Sequence, residues 1–234
     1  MRQSSLLQIS LGFVNAFIIK DQNGLTLVDT GMPGSAGKIV KAIKAAGLDP
    51  ADVRRIIITH AHTDHAGSAA ELQTLWKVPV WAHPDTATQV EKGLASQHPL
   101  VLTPGFANWL VWHLFVKRAP KNIDPVTIDR RLQDGEILPI AGGLRVIDTP
   151  GHASGHLSLL VEKERLLIAA DICANTSGLV YSVAYEDLGI GRQSILKAAA
   201  FDFEEAVFGH GRPLKKNAAN LMKAKFSGSD LRTE

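Results

Sequence analysis

Residues 53–65 read VRRIIITHAHTDH, an apolar run that leads directly into His60, His62, Asp64 and His65. The run is β-branched and predicts a buried strand that delivers His60 to the edge of a sheet. The following loop allows side chains at alternate positions to converge. Neutral imidazole and carboxylate are the ligands that zinc and its first-row neighbours accept in proteins. The stretch therefore predicts a metal-binding loop at a sheet edge.

Three further candidate ligands each end or follow an apolar strand. His152 closes the sequence TPGH at 149–152, Asp171 closes AAD at 169–171, and His210 lies in FGHG at 208–211. Strand ends that share one edge of a sheet gather in space. We therefore expect these three side chains to meet the first four.

Two strand-rich stretches, each closed by helices, indicate two sheets packed face to face with helices outside. Asn23-Gly24 between two apolar runs is a strong hairpin signal. The sequence has no internal repeat and no linker, which predicts one domain over 1–234. Strands are predicted at 6–10, 14–19, 25–28, 53–58, 78–82, 144–147, 157–161, 166–170 and 205–208, and helices at 35–46, 68–76, 192–200 and 214–226.

The composition is that of an ordinary globular protein of 234 residues, with 45% hydrophobic and 21% charged residues. The net charge of +2 comes without a long basic run, so we expect neither a nucleic-acid nor a membrane partner. Cys173 is the single cysteine, which rules out an internal disulfide. No stretch approaches a membrane span or a signal peptide. A cytoplasmic enzyme with a small-molecule substrate is expected.

Residues 93–125 interrupt the pattern of strands and helices. Aromatic and aliphatic side chains crowd two or three predicted helical turns between Pro104 and Pro120. Such a segment forms core, a homodimer contact, or a lid whose aromatic face shapes a substrate pocket. The sequence leaves all three open.

The stretch at 59–65 resembles the His-x-His-x-Asp-His signature of the metallo-β-lactamase superfamily. The resemblance extends from Val14-Asn15-Ala16-Phe17 and Leu27-Val28-Asp29-Thr30-Gly31 to the FGHG sequence at 208–211. It implies an α/β (α+β) fold, a four-layer αββα sandwich with the site at one edge.

The resemblance also implies two metal ions, which we expect to be Zn²⁺, although the same ligands accept Mn, Fe or Co. The first ion would be held by His60, His62 and His152, the second by Asp64, His65 and His210, with Asp171 bridging them. Two such cations lower the pKa of water from 15.7 to about 7 and so supply hydroxide at neutral pH.

Roles other than metal binding are predicted for Asp64, Asp29 and His156. Asp64 is expected to orient the nucleophile or relay a proton. Asp29 resembles the acidic residue that orients a metal-bound histidine, or makes a turn before Thr30-Gly31. His156 either contacts the site or substrate, or forms a structural hydrogen bond.

The lactonases of this superfamily, which the chain resembles, place a tyrosine three residues after the aspartate that bridges the two metal ions. This chain has Ala174 there, so Tyr181 or Tyr185 would have to replace that tyrosine.

Several branches of the superfamily match the chain less well. Dizinc β-lactamases lack an aspartate at the position of Asp171, and glyoxalase II enzymes add a helical C-terminal domain. We therefore expect a hydrolase of a lactone, thioester or related ester, nearest to the small lactonase and glyoxalase II-like branch. The alternative is a persulfide dioxygenase-type oxidase with one iron at His60, His62 and His152. A phosphodiesterase, a nuclease or a β-lactamase is less favoured.

Overall fold

The computed structural model describes residues 5–95 and 98–228, and the bounds of its strands and helices follow. The strands are β1 Leu6–Ser10, β2 Asn15–Asp21, β3 Gly24–Val28, β4 Val53–Ile58, β5 Val80–Ala82, β6 Val101–Leu102, β7 Arg130–Arg131, β8 Ile137–Leu138, β9 Leu144–Asp148, β10 Leu157–Val161, β11 Leu166–Ala170, β12 Ala174–Asn175, β13 Leu179–Val180, β14 Ala184–Tyr185 and β15 Glu205–Phe208. The α-helices are α1 Ala36–Ala45, α2 Thr63–Ala66, α3 Ala69–Trp76, α4 Pro84–Val90, α5 Phe106–Leu114, α6 Leu188–Ala198 and α7 Ala218–Phe226.

Two larger sheets organise the described residues. The first has the strand order β1-β2-β3-β4-β5-β7, and the second has the order β15-β11-β10-β9-β8. β3, β4 and β5 run parallel to one another, and β11 runs parallel to β15. β9 and β11 each pair antiparallel with β10, so both point the same way as β15. The carboxyl ends of these strands therefore lie at one edge of each sheet.

Three apolar clusters make the molecule a four-layer sandwich. Ile56 and Ile58 of β4 pack on one side against Ile39 and Ile43 of α1, and Ile57 faces the other sheet. The cluster between the sheets joins β2, β3 and β4 to β9, β10 and β11. The third cluster packs α6 and α7 on the outer face of the second sheet. The predicted αββα fold is confirmed, because both sheets are apolar on both faces.

Two predicted helices begin at the wrong residue. α6 begins at Leu188 rather than at 192, because the Asp187 carboxylate caps it by accepting the N–H of Ile190 at 2.8 Å. α7 begins at Ala218 rather than at 214, because Leu214 exchanges both backbone hydrogen bonds with Ala206 and is extended. The backbone partner of Leu214 lies far away in the sequence, so periodicity alone does not reveal it.

The segment predicted as an insertion lies against the rest of the fold at its two ends. β6 pairs antiparallel with β14, and the hydroxyl of Thr63 donates to the carbonyl of Pro120. No residue of α5 between these anchors is buried, so the helix does not form core. Residues 96–97 of the predicted insertion lie outside the described residues. Within the described residues, no helix combines the length and apolarity needed to cross a bilayer.

Candidate metal centre

The predicted ligands lie where parallel strands end. β4 ends one residue before Thr59-His60, and the short helix α2 carries Asp64 and His65. β11 leads directly into Asp171, and β15 ends two residues before His210. The backbone N–H of Leu157 donates to the carbonyl of Thr59 at 2.9 Å and so joins the two sheets at this edge.

The structure brings the side chains of all seven predicted ligands together. Their ligand atoms form groups in which every pair of atoms lies within 4.8 Å, and these groups are His60, His62 and His152, then His60, His65 and Asp171, then Asp64, His65 and His210. His65 and His60 each belong to two groups, so the groups are contiguous.

Asp171 lies between the outer groups. Its Oδ2 atom is 3.1 Å from Nε2 of His210, 3.4 Å from Nε2 of His65 and 3.5 Å from Nε2 of His152. Nitrogen and oxygen atoms bound to one tetrahedral zinc at ~2.0–2.1 Å lie ~3.3 Å apart, because that is the edge of the tetrahedron. The observed separations are those of atoms that share a cation.

Unpaired polar atoms mark the same place. Nε2 of His60 and His65 and Oδ1 of Asp171 are buried and have no hydrogen-bond partner among the described residues, and Nδ1 of His62 lies 3.0 Å from Nε2 of His152. A buried polar atom left without a partner costs about 1–3 kcal/mol, so such atoms rarely cluster without a ligand. The donor set is imidazole and carboxylate, and the residues present therefore fit a metal ion.

Asp29 orients candidate ligands in both outer groups. It adopts a left-handed backbone conformation with φ of 61°, and its carboxylate accepts Nδ1–H of His65 at 2.8 Å. The same carboxylate accepts the N–H and the hydroxyl of Thr59, both at 2.8 Å. Because that hydroxyl donates to Asp29, it accepts Nδ1–H of His60 at 2.9 Å. Nε2 of both histidines is thereby left free for a ligand.

Backbone carbonyls orient two of the other three candidate imidazoles, those of His152 and His210. Nδ1 of His152 donates to the carbonyl of Ala184 at 2.9 Å, and Nδ1 of His210 donates to that of Phe13 at 2.7 Å. The Phe13 ring lies parallel to the His210 ring at 6.3 Å and is exposed. Sequence reasoning missed both carbonyls, since no side-chain pattern identifies a backbone acceptor.

His156 is fixed by the protein at both ring nitrogens. Its Nε2 accepts the backbone N–H of Asp171 at 3.0 Å, and its Nδ1 donates to the hydroxyl of Thr149 at 2.8 Å. That hydroxyl lies 3.1 Å from Ser158 Oγ, which donates to the carbonyl of Ala169. With no free nitrogen, His156 is not a catalytic residue, and the structural hydrogen bond is the alternative that the structure supports.

Of the two candidate tyrosines, Tyr185 has its hydroxyl engaged by the backbone, and Tyr181 stays a prediction. The Tyr185 hydroxyl donates to the carbonyl of Ile172 at 2.6 Å and accepts the N–H of Ser182 at 3.0 Å. Tyr181 packs its ring on Phe226 at 4.9 Å and lies edge-on to Tyr185 at 6.1 Å. Burial raises the pKa of both phenols, which keeps both hydroxyls protonated.

A backbone irregularity and a glycine make room for Asp171. The pairing of β11 with β15 shifts register after Ile168, and Ala170 adopts φ of 48°. A Cβ atom at Gly209 would collide with the Asp171 carboxylate and the His65 ring. The glycine before His210 was a readable signal in FGHG that sequence reasoning did not use.

Burial and neighbouring charge set the protonation of the cluster. Burial lowers the pKa of His62 to about 3 and that of His60 well below its ordinary value, which favours neutral imidazole. Burial also opposes a charge on His65, but Asp171, Asp64 and Asp29 raise its pKa well above the ordinary value. Neutral imidazole is the form that binds metal, so the first group is prepared to accept a cation.

Comparison with known proteins identifies the family. Residues 9–210 match the profile of the Metallo-beta-lactamase superfamily. The chain belongs to the metallo-β-lactamase superfamily. As a member, it is a metallo-hydrolase whose His and Asp clusters could hold metal.

Curated relatives cover most of the chain. A probable metallo-hydrolase, YflN of Bacillus subtilis, is 30% identical over 223 residues, which cover 88% of this chain and 83% of the relative. The hydroxyacylglutathione hydrolase GloC of Haemophilus influenzae is 24% identical over 67% of this chain and 65% of its own length.

A solved structure shows the same fold. The metallo-β-lactamase family protein TTHA1429 of Thermus thermophilus superposes with a TM-score of 0.70 at 24% identity. The superposition covers 95% of this chain and 79% of that protein.

Proposed function

We propose that this metallo-hydrolase is a dinuclear enzyme that cleaves an ester-type bond in a small lactone, thioester or related substrate. The observation that carries the proposal is the position of Asp171. One carboxylate oxygen lies within 3.5 Å of His152 on one side and of His65 and His210 on the other. A shared carboxylate between two groups of imidazoles is the arrangement that holds a metal pair.

The two groups divide the ligands between two sites. His60, His62 and His152 would hold one ion, Asp64, His65 and His210 would hold the other, and Asp171 would belong to both. Zinc suits these ligands best, and manganese, iron or cobalt would also bind them. When bound, two such cations lower the pKa of water from 15.7 to about 7 and polarise the bond under attack.

Asp64 differs from Asp171 in a way that suits proton transfer. The Asp64 side chain is 23% exposed, whereas that of Asp171 is 4% exposed. Asp64 is therefore accessible from solvent, while Asp171 is almost fully covered. In the proposed reaction Asp64 orients the attacking water or passes its proton to the leaving group.

The surroundings favour an apolar acyl substrate. The segment that carries α5 is anchored to Thr63, which lies between His62 and Asp64 in the sequence. Apolar side chains next to polar chemistry are typical of pockets that bind acyl groups. GloC, a relative, is named a hydroxyacylglutathione hydrolase, which supports testing thioesters beside lactones.

Metal content and turnover of variants test the proposal together. We expect about two zinc or manganese ions per chain and activity on a panel of lactones and thioesters. The Asp171→Ala variant should lose turnover and the binding of both ions. The Asp64→Asn variant should lose turnover. Asp124→Ala, a change of an exposed carboxylate outside the cluster, is the matched control and should retain both.

Two results would contradict the proposal. Wild-type turnover and metal content in Asp171→Ala would remove the shared carboxylate from the mechanism. About one iron per chain with thiol-dependent oxygen uptake would replace the hydrolase with the mononuclear oxidase, because that chemistry needs a single redox-active ion.

A further inference from the structure

α5 presents an apolar face to solvent. Phe106, Trp109, Leu110 and Leu114 are spaced as i, i+3, i+4 and i+8, which places them on one side of a helix. Their exposed fractions are 79%, 48%, 41% and 45%, and Phe115, which follows the helix, is 62% exposed. Amphipathic helices of globular proteins normally turn such a face inward, so this face requires another partner.

The chain directly after this face is basic. Lys117, Arg118 and Lys121 are exposed, and residues 93–123 contain no aspartate or glutamate. We call these residues together the α5 surface, which comprises Phe106, Trp109, Leu110, Leu114, Phe115, Lys117, Arg118 and Lys121. The surface combines aromatic and aliphatic side chains with uncompensated positive charge.

The α5 surface is held in place rather than hanging free. On one side Thr103 donates its N–H to the carbonyl of Val183 at 2.9 Å and its hydroxyl to the carbonyl of Ser182 at 2.7 Å. On the other side the carbonyl of Pro120 accepts the hydroxyl of Thr63. Both anchors belong to segments that carry or orient candidate metal ligands. The surface is therefore fixed beside the candidate metal centre.

Charge decides between the possible partners. Two copies of this chain joined through the α5 surface would bring six positive side chains together, with no acidic residue of the segment to offset them. An anionic lipid bilayer offers both an apolar interior for the aromatic face and negative headgroups for the basic residues. Tryptophan is in addition favoured at the boundary between lipid and water.

We propose that the α5 surface docks this enzyme on anionic lipid bilayers. The helix lies in the plane of the headgroups, with its apolar face in the acyl boundary and Lys117, Arg118 and Lys121 among the phosphates. The sequence-based expectation of no membrane partner rested on net charge and on the absence of a span. An interfacial helix needs neither, because its binding depends on the apolar area that it buries and on nearby positive charge.

Vesicle flotation tests this proposal with the full-length, metal-loaded protein. Vesicles of phosphatidylglycerol and phosphatidylcholine in equal parts are compared with vesicles of phosphatidylcholine alone, and the emission of Trp109 and Trp112 is followed alongside. We expect co-flotation with the anionic vesicles, a blue shift of the emission, and weaker binding as salt is raised.

Two sets of variants separate the charged from the apolar contribution. Lys117→Gln with Arg118→Gln and Lys121→Gln should lower binding at least tenfold, since each cation near an anionic surface contributes about a factor of five. Phe106→Ser with Leu110→Ser and Phe115→Ser should abolish binding. Matched controls are Lys38→Gln with Lys41→Gln and Lys44→Gln on α1, and Leu75→Ser with Leu221→Ser, all at exposed positions. The metal content and melting temperature of each variant, compared with those of the wild type, show whether it is folded.

Four results would overturn the proposal. The first is no binding of the wild type to anionic vesicles. The second is binding that the charge variant leaves unchanged. The third is a wild-type dimer that the apolar variant converts to a monomer without any vesicle binding, which would assign the surface to a second copy. The fourth is an apolar variant that keeps wild-type vesicle binding and changes only the KM of long acyl substrates, which would assign the surface to a substrate lid.

Discussion

Buried hydroxyl groups organise the candidate metal centre at the level of single residues. Thr59 links Asp29 to His60, and Thr149 links His156 to Ser158, which in turn donates to Ala169 in the strand that precedes Asp171. Each hydroxyl donates once and accepts once, so it transmits a fixed orientation from the sheet to an imidazole. The ligands are therefore held by partners that are not themselves ligands.

Thr149→Val tests this arrangement. Valine keeps the shape but leaves Nδ1–H of the buried His156 without an acceptor, which should lower the free energy of unfolding by about 1–3 kcal/mol. The same change should weaken metal binding, because His156 holds the backbone N–H of Asp171. Urea unfolding of the metal-free protein and the visible spectrum of the cobalt-loaded protein are the measurements. Thr149→Ser should restore both, and a valine variant with an unaltered cobalt spectrum would show that Asp171 does not depend on His156.

Gly209→Ala tests the close approach behind Asp171. The added Cβ atom would strike the Asp171 carboxylate and the His65 ring, so we expect loss of metal binding and about 1–3 kcal/mol of destabilisation. Gly37→Ala on α1 meets open space and is the control, with stability unchanged or increased. Titration with zinc and thermal unfolding report on both variants. Full metal content in Gly209→Ala would show that the neighbouring side chains can yield.

The sequence identified which side chains meet, but not how they are held. His60, His62, Asp64 and His65 lie within one short stretch, so their spacing alone predicts convergence. Thr59 and Thr149 became visible only in the structure, because hydroxyls and backbone carbonyls have no spacing that distinguishes them. The Tyr185 hydroxyl bonds to the backbone instead of facing the ligands, since proximity in sequence to Asp171 says nothing about where a hydroxyl points.

At the level of elements, α6 depends on its cap. Asp187 accepts the N–H of Ile190, and its own N–H donates to the carbonyl of Gly151 at 2.9 Å, next to His152. Asp187→Ala should destabilise the protein by about 1 kcal/mol, whereas Asp187→Asn should keep the cap. Chemical denaturation of the two variants gives the difference. Equal stability of alanine and asparagine variants would show that the cap contributes nothing.

The long strands were predictable and the short ones were not. β4, β10, β11 and β15 have the predicted bounds, because β10 and β11 are buried at every residue and β4 and β15 each end in three buried apolar residues. β6 and β14 contain two residues each and depend on pairing across a long separation. α4 was also missed, although Pro84 at its first turn and His83 as its cap are helix-start signals.

At the level of the whole molecule, the fold places the candidate centre where the two sheets meet. Strands of the first sheet supply His60 and its neighbours, and strands of the second supply Asp171 and His210. The order of strands and helices predicted this layering, since two strand-rich stretches closed by helices pack in few ways. Metal bound across the edge would therefore connect both halves of the core.

Removal of metal should consequently lower the stability of the whole molecule. A ligand that binds the folded state at 100 times its Kd stabilises it by about 2.7 kcal/mol, which corresponds to roughly 5–10 °C in melting temperature for a domain of this size. Differential scanning calorimetry before and after chelation, and again after zinc is restored, measures the shift. Asp124→Ala should show the wild-type shift, and His60→Ala a much smaller one. A melting temperature unchanged by chelation in protein shown to contain metal would mean that the ion does not join the two sheets, because binding confined to the folded state must stabilise it.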